Sequence, residues 1–259
     1  MEYKEITVTK NKGIATIMLN RPKVLNAIGY YTNAELSKAL EQIGADENIK
    51  VVVLTGANGN FSSGADMKRL HEETGAPDWL TRMKNTGKLI CMIRELPQPV
   101  ICKVKGVAYG FGANLAFAGD FVVASHTARF CEVFVRLGVI LDGGGTYFLP
   151  RLVGLAKARE IALLGEEISG READSIGLIY KSVAEEDLDR EVESLADKLS
   201  QKSRLSLALI KEGLEKSLDM SLPEAMNWEA AHQSIALQSK EHKEKVRQLL
   251  IKSGKIGIS

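Results

Sequence analysis

Cysteine is scarce and unpaired: Cys91, Cys102 and Cys131 make an odd set with no disulfide or ligand spacing. That excludes a disulfide framework and fits reduced thiols, hence an expected cytoplasmic location. His71, His126, His232 and His242 show no metal-ligand spacing either, so no metal site is expected. Neither sign of charge dominates, with 34 Lys and Arg against 33 acids. A nucleic-acid partner held by bulk electrostatics is therefore not expected. No apolar run reaches membrane-spanning length, and the stretch 1–6 has no signal-peptide core, so no membrane association is expected. Low-complexity linkers and fixed-period repeats are also missing. What remains is 259 residues, enough for one large domain or a core with a small appendage.

The segments that are present follow a repeated grammar. Ile6–Thr9 and Ile14–Leu19 alternate as strands around the turn at 11–13. Thr32 is placed to cap a helix whose apolar positions Leu36, Leu40 and Ile43 recur at helical spacing. Val51–Thr55 is apolar on both faces, as a buried parallel strand is. A glycine-bearing loop, 56–66, follows it. Then Val100–Val104 reads as a strand, Gly106–Gly112 as a glycine turn, Ala113–Ala118 as a helix and Phe121–Ala124 as a strand. A short segment Ala128–Cys131 leads to the run 138–146, and Leu149–Leu164 reads as a helix. Strand, glycine turn and helix in succession predict an α/β architecture of crossover units. From about Glu191 to Ile251 the pattern is helical and charged, with a capping box at Ser221-Leu-Pro-Glu224. That tail shows little core of its own and should pack on the main body or on a neighbouring subunit.

Three glycine turns carry the chemistry. The first two each follow a buried strand and open a helix, which leaves backbone N–H groups able to hold an oxyanion. Spacing alone leaves this reading and simple close packing open. A dinucleotide loop fails because position 115 is Leu, and no phosphate-loop Lys follows. The third turn is Gly138-Val-Ile-Leu-Asp-Gly-Gly-Gly-Thr146, where Asp142 is a candidate base. Its neighbours Val139, Ile140 and Leu141 should bury it and raise its pKa. Asp66 and Asp120 follow glycine turns as well and should cap or brace their elements. His71-Glu-Glu73 reads as an exposed helical face.

Phe61-Ser-Ser-Gly-Ala-Asp66, Lys105-Gly-Val-Ala-Tyr-Gly-Phe-Gly-Ala-Asn114, Leu137-Gly-Val-Ile-Leu-Asp142 and Asn20-Arg-Pro-Lys-Val-Leu-Asn-Ala27 resemble the successive signatures of the crotonase (enoyl-CoA hydratase/isomerase) superfamily. The resemblance implies a spiral of ββα units over 1–190 with the acyl-CoA site, and a helical trimerisation region over 191–259. It implies an acyl-CoA thioester substrate, no cofactor beyond the coenzyme A that the substrate carries, and a homotrimer or dimer of trimers. The oxyanion hole would be the N–H groups of Ala65 and Phe111. Lys23, Val24, Leu25, Ala27, Gly64, Asp66, Met67, Gly110, Asn114, Phe134 and Tyr147 fall at substrate-binding positions, with Lys68 and Lys243 as further phosphate candidates. The segment Gly75–Leu80, with Pro77 and Trp79, falls where the family covers the acyl group.

The departures from the family pattern select the chemistry. The two glutamates of typical hydratases would fall at Asn114 and Phe134, and neither is acidic. Water addition needs a base and an acid. Asp142 is left as the sole base, at the position where isomerases of the phenylacetate-linked branch place an aspartate. One carboxylate suffices for a 1,3-proton shift, so an enoyl-CoA double-bond isomerase of fatty acid or aromatic degradation is the favoured reading. A hydratase of a cyclic or dienoyl ester, a dehalogenase using Asp142 as nucleophile, and a binding protein without catalysis are the alternatives.

Overall fold

The computed structural model describes residues 3–70 and 75–253. The chain opens with β1 (Ile6–Asn11) and β2 (Ile14–Leu19), joined by Lys12 and Gly13, both at positive φ. Two such residues form the tight turn whose twist matches paired strands. Helix α1 (Tyr30–Ala45) buries Leu36, Leu40 and Ile43, as their spacing predicts. Its cap differs from expectation. Gly29 occupies the cap, and Thr32 lies one turn inside, where its hydroxyl accepts the Gly29 N–H at 3.2 Å. That hydroxyl donates in turn to Glu5, so α1 is tied to β1.

Strand β3 (Val51–Gly56) is followed by α2 (Met67–Leu70) and α3 (Ala76–Glu95), then β4 (Val100–Val104). His71-Glu-Glu73 lies outside the described residues. The segment expected as one turn, Gly106–Gly112, contains a strand of its own, β5 (Val107–Tyr109), before α4 (Phe111–Phe117). Three residues were too few to read as a strand. They become one because β7 (Arg129–Cys131), which follows β6 (Phe121–Ser125), pairs with them in parallel. After α5 (Gly145–Leu164) come β8 (Glu167–Ser169), α6 (Gly170–Ser175) and β9 (Lys181–Val183). Helix α5 starts at Gly145 rather than Leu149, and its backbone breaks at Gly154 (φ 74, ψ 161).

These strands form two sheets, β1-β2-β3-β4-β6-β9 and β5-β7-β8. In the larger sheet only the β1–β2 pair is antiparallel. Both of its faces are covered, which is why β3 is an unbroken apolar run. Val52 and Leu54 face the main core, while Val51 and Val53 join Ile101 and Val123 against Leu188, Val192 and Ala196 of α7 (Leu188–Ser200). Each large aliphatic buried there contributes about 1.5–3 kcal/mol.

The remaining helices are α8 (Arg204–Ser217), α9 (Leu222–Gln238) and α10 (Lys240–Lys252). The capping box at the start of α9 forms, with the Ser221 N–H on Glu224 Oε2 at 2.7 Å. Helix α8 is anchored by a largely buried ion pair, Lys211 Nζ to Asp120 Oδ2 at 2.8 Å, with side chains 10% and 15% exposed. Asp120 also accepts the Val100 N–H at 2.7 Å, so one carboxylate braces β4 and α8, as expected of a bracing acid. Burial pushes the Lys211 ammonium below its usual range, against the opposing pull of Asp120. No helix among the described residues is long and apolar enough to cross a membrane. Helices α8 to α10 leave Ile210, Leu214, Leu222, Met226, Ile235 and Leu249 exposed.

Removing one partner of a buried pair strands the other charge. Asp120→Ala should therefore lower unfolding stability by about 3 kcal/mol. Urea denaturation should show Asp120→Ala/Lys211→Met recovering at least half of that loss.

Candidate active site

The site lies where three loops meet over the N-terminal turn of α4. The loop 57–66 leaves β3 and is held by Asn26, which is fully buried. Asn26 Nδ2 donates to the Ala57 and Asn60 carbonyls at 2.9 and 2.7 Å, and the Ser62 hydroxyl donates to the Asn26 carbonyl at 2.9 Å. Gly64, at φ +92, brings this loop against the next one: a Cβ there would lie 2.5 Å from the Tyr109 carbonyl oxygen. Only glycine permits that approach. Consequently Ala65, one residue on, and Phe111, the first residue of α4, face the same cavity. Among the described residues neither of their N–H groups donates to a loop, turn or cap acceptor. Two unengaged amides in one pocket are the donor pattern an oxyanion requires.

The cavity has a volume of about 670 Å³ and runs between α1 and α3. Trp79, Met83 and Met92 give it apolar walls, and Asn33 and Asn85 supply polar ones. Trp79, from the segment expected to cover an acyl group, thus borders the cavity. Arg82 sits over the Trp79 ring at 5.0 Å.

Asp142 borders the same cavity. Its loop is flush against α4 because of its glycines. A Cβ on Gly143 would lie 2.6 Å from the Phe111 ring, and one on Gly145 would lie 2.8 Å from Asn114 Nδ2. The Asp142 carbonyl accepts the Gly145 N–H at 3.0 Å and Asn114 Nδ2 at 2.9 Å. Its carboxylate Oδ1 is buried with no hydrogen-bond partner. Burial pushes the Asp142 carboxyl up to about 6. Of the three apolar neighbours expected to bury it, only Leu141 packs on the core, half-buried. Val139 and Ile140 are exposed, Ile140 at 85%, because the chain turns outward at Gly138 (φ 69). The backbone on the other side of Asp142 is packed against Phe111 and Asn114 of α4.

Asp142 is also not the sole acid at the cavity, since Asp66 and Asp78 border it. Asp66 is engaged, with Arg21 Nη2 at 2.8 Å and the Lys68 N–H at 3.2 Å. Burial works to raise its carboxyl, but those donors outweigh it and hold it below the usual range. It braces the loop, as expected.

The remaining sequence candidates divide by position. Lys23, Val24 and Leu25 form an exposed turn next to the loop 57–66, linked by Ser63, which donates to the Val24 and Leu25 carbonyls. Met67 is exposed at the start of α2, and Ala27 is buried, its carbonyl taking Arg21 Nη1 at 2.6 Å. Gly110, at φ 50, packs on Phe134, which is buried and does not line the cavity. Asn114 is fully buried and touches the Asp142 loop instead of the cavity. Tyr147 lies elsewhere: its hydroxyl donates to Glu215 of α8 at 2.9 Å, and Arg151 stacks on its ring at 3.7 Å. Lys243 sits on α10.

Sequence reasoning missed Glu132. It is 1% exposed, behind Asn114, whose Nδ2 donates to its Oε2 at 3.3 Å. Burial pushes its carboxyl up to about 8, with the Asp142 charge adding to the rise and Asn114 opposing it. The available signal was an acid inside the apolar run Phe130-Cys-Glu-Val-Phe134. Among the described residues no group of three acids, cysteines or histidines is arranged to hold a metal ion.

A profile of the enoyl-CoA hydratase/isomerase family matches residues 9–253. The chain belongs to that family, the crotonases, and is an enzyme of it. It is 37% identical over 244 residues to the 1,2-epoxyphenylacetyl-CoA isomerase of Escherichia coli K12, covering 93% of each chain. It is 31% identical over 251 residues, 95% of each chain, to the trans-2-decenoyl-[acyl-carrier-protein] isomerase of Streptococcus mutans. Among solved structures, an enoyl-CoA hydratase from Polaromonas sp. JS666 superposes with a TM-score of 0.91 at 30% identity, covering 95% of this chain and 97% of that one. The spiral of ββα units is therefore the crotonase fold, and both isomerases and hydratases are similar to this crotonase.

A carboxyl with a raised folded-state pKa is destabilising once ionised, so its cost appears as pH rises from about 4 to the folded value near 6. Asp142→Asn should match the native protein in stability near pH 3.5. It should exceed it by on the order of 1–2 kcal/mol at pH 7, measured by thermal or urea unfolding at both pH values.

Proposed function

We propose that this crotonase is an enoyl-CoA double-bond isomerase in which Asp142 alone takes and returns the proton. One observation carries the reading. A carboxylate with an unpartnered oxygen, raised towards neutrality, borders the same cavity as the two unengaged amides of Ala65 and Phe111. The thioester carbonyl oxygen would lie on those amides. Asp142 removes a proton from C2 or C4, the electron pair moves into the conjugated system, and the negative charge settles on the oxygen held by the amides. The acid so formed delivers its proton to the other end, and the C=C bond has moved. No cofactor beyond the substrate's own coenzyme A enters this cycle. An amide donor of this kind supports a developing oxyanion by about 3–4 kcal/mol.

Water addition is less well supported. Asn114 and Phe134 provide no acid, and Glu132 is shut behind Asn114, away from the cavity. The two glutamate positions of a hydratase thus put no acid at the cavity; of the other acids that border it, Asp66 is engaged by Arg21 and the Lys68 N–H, and Asp78 comes from the first turn of α3. The relatives that act on 1,2-epoxyphenylacetyl-CoA and trans-2-decenoyl chains by name are both isomerases. The cavity's apolar walls suit an unsaturated chain or ring of that class. Lys23 and the exposed backbone of Val24 and Leu25 would meet the coenzyme A moiety. The exposed apolar residues of α8 to α10 would be covered in a homotrimer of 28.3 kDa chains, in a soluble, cytoplasmic enzyme.

Incubation with 2-enoyl- and 3-enoyl-CoA in heavy water tests the reaction. Isomerised, deuterium-exchanged enoyl-CoA is expected, and accumulation of 3-hydroxyacyl-CoA would overturn the reading. Asp142→Asn should reduce exchange by about 10³-fold or more while remaining folded. Because the base must start ionised, kcat/KM of the native enzyme should fall as pH drops below about 6.

A further inference from the structure

Glu132 is a buried ionisable group that the proposed reaction does not use. Its carboxyl and the Asp142 loop share one partner, the Asn114 side-chain amide, which donates to Glu132 Oε2 at 3.3 Å and to the Asp142 carbonyl at 2.9 Å. Asn114 Nδ2 has only two hydrogens, so both are committed. Three acceptor atoms in this cluster are buried without a donor: Asn114 Oδ1, Glu132 Oε1 and Asp142 Oδ1. A cluster of acceptors that lacks donors is costly. A proton on Glu132 turns one acceptor into a donor and removes one of two neighbouring negative charges.

We infer that Glu132 is a positioning residue for Asp142, a neutral buried acid that lets Asn114 hold the Asp142 loop on α4 and that releases the loop when it ionises. The inference rests on Asp142 acting as the base. Ionised Glu132 would make its bond from Asn114 charge-assisted, roughly twice as strong as a neutral one, at the expense of the bond to the Asp142 carbonyl. It would also set two negative charges on either side of one amide in a dry setting. Both effects move the Asp142 carboxylate from its place at the cavity that the Ala65 and Phe111 amides also border. Burial and the Asp142 charge both favour the neutral form, consistent with a carboxyl pushed up to about 8.

The other charged groups near Glu132 are engaged elsewhere. On the β7 and β8 side, Glu167 pairs with Arg129 at 3.5 Å and accepts the Tyr109 hydroxyl. Arg136, after β7, donates through Nε to the Gly165 carbonyl at 3.2 Å, and Cys131 Sγ donates to the same carbonyl at 3.1 Å. Burial raises the Cys131 thiol, so it stays neutral. Helix α4 (Phe111–Phe117) brings no ionisable side chain. At the end of α5, Gly165 packs on the Glu132 backbone, where a Cβ would lie 3.2 Å from its carbonyl. Asp142 is therefore the charge that acts on Glu132.

The test is kcat and KM against pH for the native enzyme, Glu132→Gln and Glu132→Met, with 13C NMR titration of the labelled Asp142 carboxyl, assigned by Asp142→Asn. In the native enzyme kcat should fall about tenfold per pH unit above pH 8, with KM nearly unchanged, and Asp142 should show a second, alkaline inflection. Glu132→Gln keeps an acceptor for Asn114 but cannot ionise. It should lose the alkaline fall and the second inflection, with kcat at pH 7 lowered by less than tenfold. Glu132→Met offers Asn114 no such acceptor and should lower kcat more, at every pH, which a general packing defect would not separate from Gln. An unchanged alkaline limb in Glu132→Gln, or a native Asp142 with no alkaline inflection, overturns the inference. If Glu132→Gln does not fold, Glu132→Met decides on the same alkaline limb. Should Asp142→Asn keep full activity, the proposed base is wrong, and the NMR inflection still decides whether Glu132 and Asp142 are coupled.

Discussion

The site depends on one hydrogen bond from a buried amide to a loop carbonyl. Asn114 Nδ2 reaches the Asp142 carbonyl at 2.9 Å and seats a glycine-rich loop on the N-terminal turn of α4. The same short helix presents the Phe111 N–H. The proposed base and oxyanion donor are thereby referred to one short helix, and a proton transfer between them and a bound thioester would depend on that relative placement. Gly143 and Gly145 are necessary because the loop lies on the Phe111 ring and the Asn114 amide with no room for a side chain. Glycine also costs conformational entropy, which the buried amide bond offsets.

The wider fold serves to hold α4 still. The parallel sheet delivers the loop 57–66 from β3 and α4 from β4 by way of β5, so the unengaged amides of Ala65 and Phe111 come from consecutive turns of the spiral. Asn26 staples the first loop, and the β5–β7 pairing fixes the second. Further out, Asp120 bridges Val100 and Lys211, which joins the helical tail to the sheet that supports the site. Arg94, Tyr147 and Glu215 make a second such joint between α3, α5 and α8.

Much of this was legible in the residues. The β3 run announced a strand covered on both faces, and the three glycine turns marked where backbone meets backbone. Asp142 stood out as an acid on such a turn. Other features were not legible because they depend on contacts between distant segments. Thr32 looked like a cap until Gly29 took that place and Glu5 drew the hydroxyl inward. Tyr147, near Asp142 in sequence, is turned by α5 towards Glu215. Asp142 was expected to be buried by Val139, Ile140 and Leu141, but the first two are exposed, only Leu141 packs on the core, and the loop's glycines lie against α4.

The sequence by itself determined the family, the order of strand, turn and helix, and the short list of groups able to do proton chemistry. These follow from local properties: side-chain periodicity, glycine's freedom at positive φ, and the presence or absence of an ionisable group. Only the tertiary structure decided the electrostatic state of those groups. Asp142 and Glu132 are both acids within apolar runs, yet one borders the cavity and the other is sealed behind Asn114. Which carboxyl faces a substrate and which stays protonated depends on how much water each retains, and that is set by the packing of α4 and α5 around them.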